Sequence, residues 1–208
     1  MKATFIGPPG AGKGTQAKLA AKTLGLLHLS TGDMLRAAVK AGTKLGKEAE
    51  AYMKAGKLVP DSLVLEVLKE RLKQPDTAKG FILDGFPRNA QQAKALSEIV
   101  PLDMAIYFDV PLDALIVRLV ERRTCPKCEK IYNLKTQPPR EHMTCDIDGT
   151  TLVHRADDTE SAVTTRFEVY QKETEPLLEL YRGKGLLRVV PATGDVDQIQ
   201  KAVVSAMR

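Results

Sequence analysis

A three-layer α/β/α fold built on a five-stranded parallel sheet is what this chain predicts, and three observations carry the prediction. Apolar, β-branched runs recur at residues 3–6, 26–29, 81–83, 104–110 and 187–190. Segments with a helical period separate them, and the first run leads straight into a glycine-rich loop. Runs that are continuously apolar, instead of alternating with polar residues, suit strands buried on both faces, the condition of a parallel sheet flanked by helices.

The loop after the first run reads Gly7-Pro8-Pro9-Gly10-Ala11-Gly12-Lys13-Gly14-Thr15. Successive backbone N–H groups converge on a polyphosphate only where glycines permit left-handed backbone and leave no Cβ in the way. Lys13 adds a point charge, and the helix that follows directs its unpaired N–H groups and positive end at the same anion. A strand before and a helix after this spacing mark a phosphate-binding loop of the P-loop NTPase type, with Gly10, Ala11, Gly12, Lys13, Gly14 and Thr15 around the phosphates. Gly14 stands where Ser or Thr usually gives a hydroxyl to Mg²⁺, and Thr15 comes one residue late. Mg²⁺ dehydrates reluctantly, so phosphates and waters are expected to hold most of it.

Past the second run, residues 30–59 are polar and helix-prone with no strand candidate, so a small helical lobe is expected. Pro60 precedes an amphipathic helix over 61–73, in which Leu63, Val64, Val67, Leu68 and Leu72 fall at helical spacing. The strand at 81–83 ends in Asp84, at the sheet's carboxyl edge where open α/β folds bind ligands. A carboxylate there orients water around Mg²⁺, or else it is a turn residue capping the next helix. The Phe86-Pro87 turn holds Arg88, which is suited to a fork on a phosphate.

A helix over 112–122 is expected to bury Leu115, Ile116, Leu119 and Val120. It puts Arg118 and Arg122 four residues apart on one face, with Arg123 about 100° round. Like charges so placed either share an anion or form a solvated basic face. Residues 124–156, with Pro138-Pro139 and Asp148-Gly149, read as hairpins and turns. A long helix is expected from an acidic first turn near Asp157-Asp158-Thr159-Glu160, with a kink or break at Pro176. His28, inside the second apolar run, reads as a packed core histidine.

The hairpin segment carries Cys125-Pro126-Lys127-Cys128 and, later, Cys145-Asp146-Ile147-Asp148. Two such knuckles suit a tetrahedral site, and a carboxylate oxygen is an acceptable fourth Zn²⁺ ligand. His142 and Asp146 are other candidates for that place, but only Asp148 completes the symmetric spacing. So small an insert lacks apolar residues for a core of its own, which gives Zn²⁺ a structural role. The alternative is an insert knitted by hydrogen bonds alone.

A chain of 208 residues suffices for one substantial core with small inserted lobes. Its three cysteines cannot all pair, which favours a metal over a disulfide framework. No apolar stretch approaches a membrane span and no room precedes the first strand for a leader, so no membrane partner and a cytoplasmic address are expected. Lys and Arg number 31 against 26 Asp and Glu, but with no tryptophan and 5% aromatic residues there is little to stack on bases. No nucleic-acid partner is therefore expected.

In order along the chain, the glycine loop, Ser30-Thr31-Gly32-Asp33-Met34-Leu35-Arg36, Gly56-Lys57-Leu58-Val59-Pro60-Asp61 and Asp84-Gly85-Phe86-Pro87-Arg88 with Gln92 closely resemble the adenylate kinases. Arg118-x3-Arg122, Arg155-x-Asp157-Asp158 and Arg166 continue the resemblance over nearly the whole chain. It implies reversible transfer of the terminal phosphoryl group from MgATP to AMP, giving two ADP, by a monomer. It implies a core at 1–29, 60–120 and 160–208, an AMP-binding lobe at 30–59 and a mobile lid at 121–159. Thr31 and Gln92 would face the adenine of AMP, and Arg36 and Arg88 its phosphate. The main chain of Lys57, Leu58 and Val59, together with the Gly85-Phe86-Pro87 turn, would border that nucleotide.

By the same resemblance, Lys13, Arg88, Arg118, Arg122, Arg155 and Arg166 would surround the phosphates, with Asp84 on the Mg²⁺ side. Ile131 and Tyr132 would pack on the ATP adenine, unless they belong to the lid's own core, and Val196 would border the same base. Metal-bearing lids of some adenylate kinases end their second knuckle in Cys or Asp, as here. An acceptor phosphate with a second pKa of about 6 is already ionised, so no general base is needed. Positioning, matched cations and exclusion of water lower the barrier. The nearest alternative is a kinase acting on UMP, CMP or GMP, against which Thr31 and Gln92 argue. A zinc-knuckle nucleic-acid module would need stacking aromatics beside the knuckles, where only Tyr132 stands.

Overall fold

The computed structural model describes every residue except Leu112, and the side chains of Asp113, Ala114, Ile116 and Val117 lie outside the description. The chain runs β1 (Lys2–Ile6), α1 (Lys13–Leu24), β2 (Leu27–Ser30), α2 (Thr31–Lys40), α3 (Lys44–Lys54), α4 (Asp61–Leu72), β3 (Phe81–Asp84) and α5 (Ala90–Ile99). It continues through β4 (Met104–Asp109), α6 (Asp113–Val120), β5 (Arg122–Thr124), β6 (Ile131–Asn133), α7 (Glu160–Val169), α8 (Leu177–Gly183), β7 (Leu187–Pro191) and α9 (Val196–Ala206). Strands β2-β3-β1-β4-β7, in that order and all parallel, form the central sheet. The five apolar runs are these five strands.

Burial on both faces explains the continuous runs of the inner strands, whereas in the edge strand β7 only Val190 is buried. On one side Ala17, Ala20 and Ala21 of α1 and Ile199 and Val203 of α9 pack against Ala3, Phe5, Ile82, Ile106 and Phe108. The small side chains let α1 approach the sheet closely. On the other side Val64 and Leu68 of α4 and Leu96 of α5 cover Leu29, Phe81 and Leu83, while Leu177 and Tyr181 of α8 cover Ile6 and Ala105. Helices α2 and α3 form the small lobe after β2, capped by Ser30 and Thr43, which accept from the N–H groups of Asp33 and Gly46.

The register Phe5↔Asp84 between β1 and β3 brings the end of β3 beside the glycine loop that leaves β1. Neighbouring carboxyl ends that continue in different directions leave the crevice where such sheets bind ligands.

Three expectations are corrected. The helix expected over 112–122 ends at Val120, and Arg122 lies in β5, so Arg118 and Arg122 do not share a helical face. Long-range pairing overrides the helix-forming local sequence: β5 runs antiparallel to β6, and Thr124 exchanges two main-chain hydrogen bonds of 2.9 Å with Val153. Leu115 and Leu119 are fully buried, but Val120 is 39% exposed; Leu112 and the side chain of Ile116 fall outside the described residues. The acidic pair Asp157-Asp158 precedes α7 instead of forming its first turn; Thr159 is the N-cap, accepting from Ala162 N–H. The break expected at Pro176 begins earlier, in a π-helical turn at Tyr170–Thr174. No helix among the described residues is long and apolar enough to cross a membrane.

Candidate active site

The carboxyl ends of β1 and β3 open into a cavity of about 660 Å³, also walled by α2, the β5–β6 hairpin and α7. Nine lysines and arginines line it against four aspartates, so its charge suits an anion of several charges. Lys13 Nζ donates to the carbonyls of Gly7 at 2.7 Å and Pro8 at 2.8 Å, within the loop it serves. Burial pushes its ammonium down to about 7; Asp84 opposes that shift, while Arg88, Arg166 and Arg122 add to it.

Asp84 is not a helix cap: α5 is capped by Asn89, which accepts from Gln92 N–H. Burial alone would raise the Asp84 carboxyl, but hydrogen bonding and charge from His28, then the charge of Lys13, hold it below the usual carboxylate range. His28 is thus no plain core histidine, since its Nε2 lies 3.4 Å from Asp84 Oδ2. The same oxygen explains the departure at Gly14. A Cβ there would stand 3.1 Å from Asp84 Oδ2, so a serine or threonine would crowd the carboxylate that reaches into the P-loop. Thr15 lines the cavity one residue further on.

Thr31 and Gln92 are brought together with Arg36 and Arg88 along one wall. Thr31 Oγ1 donates to Gly85 O at 3.0 Å. Gln92, 1% exposed, accepts from Arg88 N–H at 2.8 Å and donates to Asp61 Oδ1 at 2.7 Å, so it ties α4 to the arginine turn. Arg88 Nε donates to Gly85 O at 2.7 Å, and burial, then Arg166, pushes its guanidinium down to about 10. Arg36 pairs with Asp33. Lys57, Leu58, Val59, Gly85 and Pro87 border the cavity, but Phe86 does not: it is fully buried in the core, and its carbonyl accepts from Thr4 Oγ1.

Arg118, Arg122, Arg155 and Arg166 line the same cavity. Asp158, fully buried, accepts from Arg122 through both carboxylate oxygens and from Arg166 Nη1 at 3.1 Å. Asp157 accepts from Arg166 as well, at 3.0 Å. Sequence reasoning missed this anchoring role because the acidic pair also suits a helix start. Thr174 was missed too; the π-helical turn brings its hydroxyl to Arg88 O, to which it donates at 2.7 Å. Gln16, 2% exposed on α1, donates from Nε2 to Val196 O at 2.9 Å and so fixes the loop that borders the cavity before α9.

In the hairpin segment, donor atoms of Cys125, Cys128, Cys145 and Asp148 all lie within 4.8 Å of one another. Cys128 and Cys145 sulfurs are 3.5 Å apart, and Cys125 Sγ lies 3.4 Å from Asp148 Oδ2. Zn–S bonds of about 2.3 Å require sulfurs about 3.8 Å apart in a tetrahedron, so the donor set fits such an ion. The N–H groups of Lys127 and Cys128 donate to Cys125 Sγ at 3.4 Å, which presents the sulfur as a ligand. Asp146 is engaged elsewhere, with Lys130 and Arg140 N–H, and His142 is exposed. Tyr132 is 3% exposed, lines the cavity and sits in the hairpin segment's apolar cluster, its hydroxyl donating to Cys145 Sγ at 3.4 Å. Ile131 turns toward the P-loop, where its Cδ1 is 4.0 Å from the position of a Gly14 Cβ.

Residues 5–186 match the protein family described as adenylate kinase. The adenylate kinase of Thermodesulfovibrio yellowstonii is 50% identical, aligned over 100% of this chain and 99% of its own. That of Archaeoglobus fulgidus is 48% identical over 98% of this chain and 96% of its own. That of Streptomyces coelicolor is 42% identical over 100% and 99%.

Proposed function

The chain belongs to the adenylate kinase family and is an ATP:AMP phosphotransferase, and from that premise we propose how its cavity divides the work and what its lid holds. The carrying observation is that one cationic cavity is lined both by the P-loop with Asp84 and by Thr31, Arg36, Arg88 and Gln92. ATP takes the P-loop end, its phosphates on the N–H groups of Gly10 to Thr15 and on Lys13. AMP takes the other end, its phosphate on Arg88 and Arg36 and its base beside Thr31 and Gln92, with Lys57 to Val59 and the Gly85-Pro87 main chain around it.

The terminal phosphoryl group passes between two oxygens that the walls hold in line. Arg88, Arg122, Arg155 and Arg166 match the negative charge spread over it, and Arg118 supports the ATP side. No residue need act as general base, because the acceptor oxygen is ionised. Fixed guanidiniums stabilise best, since they need not reorganise during transfer. Asp158 fixes two of them. Mg²⁺, bound with ATP, neutralises phosphate charge. The Asp84 carboxylate, kept ionised beside Gly14, is the group suited to its water shell.

Cys125, Cys128, Cys145 and Asp148 hold Zn²⁺, which braces the lid. Ile131, Tyr132 and Val196 all line the cavity and border the ATP base, Tyr132 while also packing in the lid's own cluster. One chain's residues line the whole proposed site, so we propose that the enzyme works as a monomer in the cytoplasm, with ATP, AMP and ADP, and no nucleic acid, as partners.

A product-resolved assay with ATP and each of AMP, UMP, CMP and GMP tests the acceptor. AMP should exceed the others in kcat/KM by more than about tenfold. A comparable advantage for another monophosphate would overturn the assignment of Thr31 and Gln92 to adenine.

A further inference from the structure

Strand β5 gives the cavity more than Arg122. Side chains alternate along a strand, so Thr124 lies on the same face as Arg122. It is 8% exposed, and its main chain is held on one edge by two hydrogen bonds with Val153 and on the other pairs with Ile131 of β6. Its Oγ1 accepts from Arg155 Nε at 3.0 Å. Three other arginines of the cavity are held by carboxylates: Arg122 by Asp158, Arg166 by Asp157 and Asp158, and Arg36 by Asp33. Among the described residues, no carboxylate forms an ion pair with Arg155. A neutral acceptor on Nε fixes one edge of the guanidinium and leaves both terminal nitrogens and the whole positive charge for an anion.

We propose that Thr124 is a positioning residue for phosphoryl transfer, whose hydroxyl aims the Arg155 fork at the transferring phosphate without neutralising it. The proposal rests on the adenylate kinase reading and extends it to a residue outside the cavity lining.

Thr124→Val keeps the β-branched shape and removes the acceptor, whereas Thr124→Ser keeps the acceptor. The valine variant should lose about tenfold in kcat, with KM for ATP and AMP within about twofold, and the serine variant should regain most of the loss. Melting temperature and lid metal content should match the parent in both. In an Arg155→Ala background, Thr124→Val should have no further effect.

Turnover of the valine variant within about twofold of the parent, no rescue by serine, or additive losses in the double variant would each overturn the proposal. If the valine variant unfolds or loses its metal, Thr124→Ala takes its place in the same cycle, under the same criteria. The parent chain is assayed alongside. Failure of the parent to form ADP from ATP and AMP would refute the underlying reading and the proposal with it, whereas the selective patterns above concern Thr124 alone.

Discussion

At the scale of single residues, the cavity is a problem of cations held close together before any substrate compensates them. Asp158 reduces that repulsion for Arg122 and Arg166, whereas Lys13 loses its proton near 7, where an ordinary lysine keeps it to 10.5, chiefly because it is buried, with Arg88, Arg166 and Arg122 adding to the shift. Between those values the unfolded chain binds a proton that the folded chain does not, so this residue makes stability rise with pH across that window. Below it both states are protonated, and the cost of burying the charge is fully present. A polyphosphate beside Lys13 restores the ammonium. Binding of ATP at about pH 8 should therefore take up about one proton, read by calorimetry in buffers of different ionisation enthalpy, and Lys13→Ala should abolish the uptake. Equal uptake by that variant would assign the proton to another group. Lys13 was legible in the sequence because its loop is local. His28, Asp158, Thr174 and Gln16 were not, since each acts on a residue far along the chain and no spacing records a partner.

At the scale of elements, the five core strands could be read from the chain as apolar runs, continuous where burial on two faces leaves its mark and weaker at the exposed edge strand β7. The three-residue strand β5 could not: Arg122 and Arg123 continue a helical pattern locally, and only pairing with β6 and Val153 makes them extended. That difference matters for function, because alternation along β5 sends Arg122 and Thr124 to one side and Arg123 to the other. The hairpin segment itself has a very small apolar cluster, centred on Tyr132 and Leu152 with two of the cysteines. On the proposed reading, its stability therefore rests on the metal. Removing Zn²⁺ with a chelator, or changing Cys145→Ser, should destabilise the chain by at least about 2 kcal/mol, a fall of roughly 5 °C in Tm for a protein of this size. Calorimetry alongside metal analysis checks it. Unchanged melting after verified metal loss would mean that hydrogen bonds alone hold the lid.

At the scale of the whole molecule, the lobes meet one another around the cavity. Lys18 on α1 pairs with Glu129 of the first cysteine knuckle at 3.2 Å, which seats the hairpin segment on the core. That pair is largely exposed and contributes little by itself. The contact on the other side is steric. Gly56, which ends the α2–α3 lobe, has φ +69°, and a Cβ on it would stand 2.4 Å from the carbonyl oxygen of Ala162 on α7. The same helix carries Arg166, whose Cγ would lie 3.0 Å from that Cβ. Only glycine lets the main chain of Lys57 to Val59 close against the helix that carries Arg166. Gly56→Ala should push that segment away from α7, raising KM for AMP by about tenfold while KM for ATP stays within about twofold. Left-handed strain in the new alanine should also cost about 1–2 kcal/mol of stability. Initial-rate kinetics with each nucleotide varied in turn, together with thermal unfolding, decide the matter. Unchanged KM for AMP would show that the lobe binds its nucleotide without this contact, and an equal rise for ATP would show that the damage spreads through the core.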